Sequence, residues 1–298
     1  MTYPRSHTVN PDLGGTFLCT TRCVRRAFLF GKDNVTGLRF DHRKNWVEQR
    51  LIFLTRVFAV SITGFAVMSN HYHAIVTTEP ERVREWSDDD VAERWLMLSP
   101  KASPLLKARK RDAILASPER LKVLRQRLGN LSWYMKHLNE PIARMANRED
   151  GAKGRFWEGR FHAEALLDQA AITAAMAYVD LNPVRAGITQ DPTQAEHTAL
   201  ARRLRFQGNE PHLTALDALG LNLHSYLDLL GWTLRRDQTA QAPANALHRL
   251  KCRPLDWLTR FDHHKTRCRV RGAKRLVQQH ADSLGQRWLW GIRNAPDS

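Results

Sequence analysis

The chain has 298 residues, 43% hydrophobic and 26% charged, enough to bury a sizeable core without disulfides, and this balance excludes bulk disorder. Its longest near-apolar run, Val57 to Met68, falls far short of the ~20 residues that cross a bilayer, which excludes an integral membrane helix. Lys and Arg total 46 against 30 for Asp and Glu, a formal net charge of +16, which points to a polyanionic partner, with nucleic acid ahead of a membrane surface.

Taken in chain order, the N-terminus Met1-Thr-Tyr-Pro-Arg-Ser-His lacks the apolar core of a signal peptide, so the cytoplasm is the default expectation. Thr16 to Arg22 is rich in β-formers and reads as a strand. Asp41 to Phe58 carries apolar residues at helical spacing, with Asp41 placed as its N-cap. Val57 to Met68, the turn pair Ser69-Asn70 and His71 to Thr77 make a β-hairpin. Residues 79–118 read as a charged insertion or long connection, acidic from Glu79 to Glu93 and basic from Lys101 onward. Lys107, Arg109, Lys110 and Arg111 in that basic run are candidate phosphate contacts.

Leu121, Leu124, Leu128, Leu131, Met135, Leu138 and Ile142 predict one long amphipathic helix. After the break at Gly151 to Gly154, residues 155–166 read as extended, and Ala170 to Leu181 as a helix that stops at Asn182-Pro183. The order of elements predicts an α+β fold, a ferredoxin-like sandwich on an antiparallel sheet. Beyond about residue 190 the chain turns basic, and residues 191–298 read as a mainly helical region packed on the first, with a linker-like stretch at 237–247. Cys19, Cys23, Cys252 and Cys268 show no CxxC spacing and read as free thiols, partly buried.

Two constellations carry chemistry. His71 and His73 are two apart on a strand, so both imidazoles leave the sheet on one face and can clasp one divalent cation. The competing reading is an ordinary pair of surface or core histidines. Tyr178 and Asn182 are four apart, so on a helix they share a face. There a phenol can attack a phosphate and an amide oxygen can serve as a third ligand, or Tyr178 is a core aromatic and Asn-Pro a helix terminator. Arg155, Arg160 and Arg185 lie near these motifs and contact phosphates or pair with Glu158, Asp168 or Asp180. Trp157 and Phe161 stack on bases or belong to the core. His263, His264 and His280 form no metal set by spacing.

His71-Tyr-His73, within Val67-Met-Ser-Asn-His-Tyr-His-Ala-Ile-Val76, resembles the HUH signature, with Tyr72 where an aliphatic residue is usual. Tyr178-Val-Asp-Leu-Asn-Pro-Val-Arg-Ala-Gly187 resembles the nucleophile helix of single-tyrosine HUH transposases. Gly154-Arg-Phe-Trp-Glu-Gly-Arg-Phe161 is similar to the run before that helix, and Thr21-Arg-Cys-Val-Arg-Arg-Ala-Phe28 to the opening strand. Spread over about residues 14–190, these resemble the REP-associated tyrosine transposases.

The resemblance implies that Tyr178 is the nucleophile that joins a 5′ phosphate of single-stranded DNA. It implies that His71, His73 and Asn182 hold Mg²⁺ or Mn²⁺, and that the partner is single-stranded DNA with hairpin or palindromic repeats. It implies a metal-dependent endonuclease and strand transferase acting beside the nucleoid, as a monomer or homodimer. Two alternatives stay open: a non-cleaving DNA-binding protein of the same fold, and a phosphoesterase that uses water.

Overall fold

The computed structural model describes residues 8–32, 37–99, 101–235, 241–264 and 268–289. Its centre is a five-stranded, mostly antiparallel sheet in the order β2-β3-β1-β4-β5. The strands are β1 (Gly15–Arg22), β2 (Val60–Val67), β3 (His71–Thr78), β4 (His162–Leu166) and the two-residue β5 (Val270–Arg271). β1 is antiparallel to both β3 and β4, β2 is antiparallel to β3, and β5 runs parallel to β4 at the edge. The hairpin between β2 and β3 closes at Ser69-Asn70, where the Met68 N–H donates to the His71 carbonyl at 2.8 Å.

Side-chain alternation along the strands sends neighbouring residues to opposite faces, and each face has its own core. Phe17, Cys19, Phe65, Tyr72, Ala74 and Val76 face one way. They meet α1 (His42–Thr55) through Val47, Leu51 and Leu54, and α6 (Leu131–Glu149) through Tyr134, Met135, Leu138 and Ile142. Leu18, Ala66, Ile75 and Leu166 face the other way, onto α7 (Gln169–Asp180). Behind α7 lie α10 (Leu223–Arg235), α11 (Ala244–Arg249) and α12 (Pro254–His263), whose Tyr226, Leu229, Leu230, Trp257 and Phe261 complete that core.

The 79–118 segment is not a loose connection. It folds into α2 (Pro80–Arg84), α3 (Asp88–Leu96) and α4 (Pro104–Leu115) and leads into α5 (Pro118–Leu128). Val83, Val91, Ala92, Leu96 and Ile114 from it are buried in the first core. Its acidic and basic halves meet where Arg111 bonds Asp89, and Arg125 of α5 reaches back to Asp88 at 2.8 Å.

The single helix expected through Leu121 to Ile142 is two, α5 and α6, broken at Gly129-Asn130. A Cβ at Gly129 would lie 3.0 Å from the Pro80 Cα and 3.2 Å from its Cβ, so the chain passes α2 closely there and a larger residue would make Pro80 give way by a few tenths of an ångström. Asn130 starts α6 by accepting the N–H groups of Ser132 at 2.8 Å and Trp133 at 3.3 Å. Asp41 does precede α1, but its carboxylate makes no cap bond. It takes Lys44 at 2.9 Å and Arg39 at 3.0 Å instead.

Only His162–Leu166 of the expected extended run 155–166 is a strand. Residues 155–161 dock on the end of β1: Val24 donates to the Phe156 carbonyl and Glu158 to the Arg22 carbonyl, both at 2.9 Å. The helix expected over Ala170 to Leu181 is α7, which ends at Asp180, just before Asn182-Pro183; what the sequence does not announce is a further turn after it. Leu181 keeps helical angles (φ −87°, ψ −4°) and α8 (Asn182–Arg185) adds a turn, with Pro183 at its start, where a missing N–H costs nothing.

In the C-terminal region, α9 (Ala199–Arg205) and α13 (Lys274–Ser283) join α10–α12. Of the linker-like stretch, residues 237–240 lie outside the described ones and 244–249 are helical. None of the four cysteines is joined in a disulfide; Cys19, Cys23 and Cys268 are buried. Among the described residues, no helix is long and apolar enough to cross a membrane.

Candidate functional site

The register of the sheet builds one row across four strands: Ala66 on β2, His73 on β3, Thr20 on β1 and His162 on β4. The next row toward the hairpin pairs His71 with Arg22. These side chains stand on the face that α7 covers. His71 and His73 therefore share a face, as their spacing predicts, with ring centroids 5.0 Å apart. Tyr72 between them points into the opposite core and donates its hydroxyl to Asn139 at 2.6 Å.

What lets a tyrosine from a helix reach this row is small residues. α7 contributes Ala170, Ala171, Ala174, Ala175 and Ala177, all buried. On the sheet beneath, a side chain at Gly64 would sit 3.6 Å from the Met176 Cγ. Helix and sheet approach closely, and Tyr178, at the end of α7 and half-buried, comes down beside the His pair. Its ring centroid is 5.6 Å from that of His73, edge to face.

Each imidazole is held on one nitrogen. The Thr20 hydroxyl bonds His73 Nδ1 at 2.9 Å, and His71 Nδ1 lies 2.6 Å from the Asn70 amide oxygen. An amide oxygen only accepts, so His71 carries its proton on Nδ1 and keeps its Nε2 lone pair free. His73 Nε2 is buried and has no hydrogen-bond partner among the described residues. Burial, aided by Arg22, pushes the His71 imidazole down to about 4. Burial also holds His73 well below the usual range, with His71, Arg22 and Arg185 adding to it. Both are neutral at physiological pH, the form in which imidazole ligates a metal.

A free lone pair at His71 and an unpartnered buried nitrogen at His73 fit the divalent cation that the HUH resemblance implies. Two nitrogen ligands suit Mn²⁺ better than Mg²⁺. Asn182 lies one turn beyond Tyr178 and is half-buried. Among the described residues, no three His, Cys, Asp or Glu side chains gather as a metal-binding set.

Two further groups close on the phenol. Arg185, on α8, places its guanidinium carbon 4.9 Å from the Tyr178 ring centre. His264, at the end of α12, has its ring 5.3 Å away and tilted by 31°. Spacing gave no sign of His264, because it lies 86 positions beyond Tyr178. Its one local signal is that it follows Phe261 by three residues on the face of α12 that packs on α7. Thr20, Arg22 and Arg271 were likewise invisible until the register was known. On β4, Glu164 forms a buried ion pair with Arg271 at 2.7 Å and lies 3.3 Å from His162.

The other expected site residues are spread out. Arg155 and Arg160 are exposed on the loop that docks on β1 at the His end of the sheet. Among the described residues, neither they nor Arg185 pair with Glu158, Asp168 or Asp180. Asp168 instead caps α7, accepting the Ala171 and Ala273 N–H groups at 2.7 Å each. Asp180 accepts from Tyr226 at 2.6 Å.

Lys107, Arg109, Lys110 and Arg111 sit on α4, in the segment that leaves the sheet at Thr78. That is the far end of β3 from His73, about 17 Å along the strand. Arg109 is exposed, Lys107 and Lys110 are half-buried, and Arg111 is occupied by Asp89. Trp157 and Phe161 belong to the core. The Trp157 ring stacks on Phe30 at 5.6 Å and its N–H donates to the Asn139 carbonyl at 3.0 Å, while Phe161 is buried.

No protein-family model matches the chain, and no curated protein matches it. Among solved structures, the chain is similar to a REP-associated tyrosine transposase bound to a REP hairpin. The two are 16% identical, with a TM-score of 0.38, over 72% of this chain and 96% of the other.

Proposed function

We propose that the protein is a single-stranded DNA endonuclease and strand transferase that acts on hairpin or palindromic repeats through Tyr178. The observation that carries this is the contact of the Tyr178 ring with His73, the buried imidazole whose Nε2 is unpartnered. A tyrosine, two neutral imidazoles and a nearby arginine on one sheet face suit attack on a phosphodiester. The order β2-β3-β1-β4, with α1 between β1 and β2 and α6 leading into β4, supports reading this sheet as a ferredoxin-like sandwich.

In this reading His71, His73 and Asn182 hold a divalent cation, Mn²⁺ or Mg²⁺, which when bound polarises the phosphate. Thr20 and Asn70 orient the imidazoles through Nδ1. Tyr178 Oη forms a bond to phosphorus as the bond from phosphorus to the 3′ oxygen breaks. The phenol proton is lost and the departing 3′ oxygen gains one, giving a 5′-phosphotyrosine and a free 3′ hydroxyl. The ester keeps the phosphodiester energy, so the reverse step rejoins DNA without ATP. Arg155, Arg160 and Arg185 contact phosphates around the site, and the charge of +16 draws the DNA in.

The test is adduct formation with Mn²⁺ and labelled single-stranded hairpin oligonucleotides, resolved on denaturing gels. Wild type gives a labelled covalent band and Tyr178→Phe gives none. Cleavage by both proteins without an adduct would mean that water is the nucleophile. Tight binding with neither cleavage nor adduct would mean a non-cleaving DNA-binding protein.

A further inference from the structure

His264 is 7% exposed, and neither of its ring nitrogens has a hydrogen-bond partner among the described residues. A neutral imidazole carries one donor and one acceptor, and burying both unpaired costs free energy that a phenyl ring of similar shape avoids. Its contact with Tyr178 uses only the ring, so that contact does not account for the nitrogens.

The surroundings say what such nitrogens suit. His73 and Arg185 touch the same phenol, and Arg22 stands across from His71. Burial holds His264 neutral, and the charged neighbours that reinforce this, Arg271 and Arg185 among them, are cationic. The carboxylate on this face, Glu164, is already taken by Arg271. Arginines and neutral imidazoles gathered around one phenol, with the nearby acid already ion-paired, suit an anion.

We infer that His264 is a phosphate-binding residue, and that its N–H contacts the phosphodiester presented to Tyr178, beside Arg185. The inference rests on the reading of Tyr178 as the nucleophile. It makes α12, far along the chain, a wall of the DNA site.

The chain has five tyrosines, so labelling with 3-fluorotyrosine gives five fluorine resonances, and Tyr178→Phe identifies the one at the site. That resonance is followed as a single-stranded hairpin oligonucleotide is added without metal. In His264→Phe the ring persists and the signals of the buried Tyr72, Tyr134 and Tyr226 stay in place, which shows an intact core. Half-saturation of the Tyr178 shift then needs about tenfold more DNA. His264→Gln, which restores an N–H donor, recovers part of the loss.

Equal titration of wild type and His264→Phe overturns the inference, as does a wild-type Tyr178 signal that DNA leaves unmoved. The adduct assay stands apart from this. An adduct that survives Tyr178→Phe removes the nucleophile reading, while the titration still decides whether His264 meets phosphate.

Discussion

At the scale of single residues, the site is framed by groups that burial has shifted, and Asp180 is the one whose shift is open to measurement. It sits two residues past Tyr178 and is fully buried. Tyr226 donates to it at 2.6 Å and the Leu200 N–H at 3.3 Å. Burial outweighs these bonds and the nearby Arg203, and pushes the carboxyl up from 3.8 to about 6. A raised acid favours the protonated form in the fold. Its contribution is therefore fully present below about 4 and is lost as the pH rises through about 6, by roughly 3 kcal/mol in all. Asp180→Asn removes this titration. Denaturant unfolding at about pH 4 and pH 7 should show wild type losing that much more stability than the variant over the interval. An unchanged difference between the two would place the titration elsewhere.

At the scale of elements, the sequence was legible where a pattern is local. The strand, the hairpin and the two-residue spacing of His71 and His73 follow from alternation, and the Ala-rich run announced α7. The α5–α6 break was missed because its two residues leave the three- and four-residue rhythm intact, although Gly129 and Asn130 are ordinary stop and start signals. The turn after Asn182 was missed because proline forbids an N–H, not a helix start.

Inside α6, Pro141 cannot donate to the His137 carbonyl four residues back. Arg50 of α1 fills the gap, its Nε donating to that carbonyl at 3.0 Å. The two positions should therefore be coupled. Arg50→Leu strands a half-buried carbonyl in wild type, but not in Pro141→Ala, where the backbone supplies the missing N–H. A double-mutant cycle by chemical denaturation should give a coupling of about 1 kcal/mol, and additivity would show that Arg50 does not serve that carbonyl.

At the scale of the whole molecule, the sequence separates about residues 14–190 from the C-terminal region, because every recognisable motif lies in the first part. The physics of packing joins them. β5 extends the sheet, and the buried Arg271 binds Glu164 on β4. The buried Arg203 of α9 donates to the carbonyls of Thr63 and Thr214, both at 2.9 Å. Ala174, Ala175 and Val179 of α7 share one buried cluster with Tyr226, Leu229, Leu230, Trp257 and Phe261 of the C-terminal helices. None of these partners is near in sequence, and contact across such distances leaves no periodic trace. This is why His264 and its wall were invisible.

A chain ending at residue 190 would strip Tyr226, Leu229, Leu230, Trp257 and Phe261 from the cluster shared with the helix that carries Tyr178. Fully burying side chains of that size is worth about 1.5–3 kcal/mol each, and a domain holds only about 5–15 kcal/mol in total. The fragment should therefore lack a cooperative thermal transition, bind a hydrophobic dye and form no DNA adduct. A fragment that melts cooperatively near the temperature of the full chain would show instead that residues 191–298 are an appendage. In that case the position of Tyr178 would be set by the sheet and α7 alone.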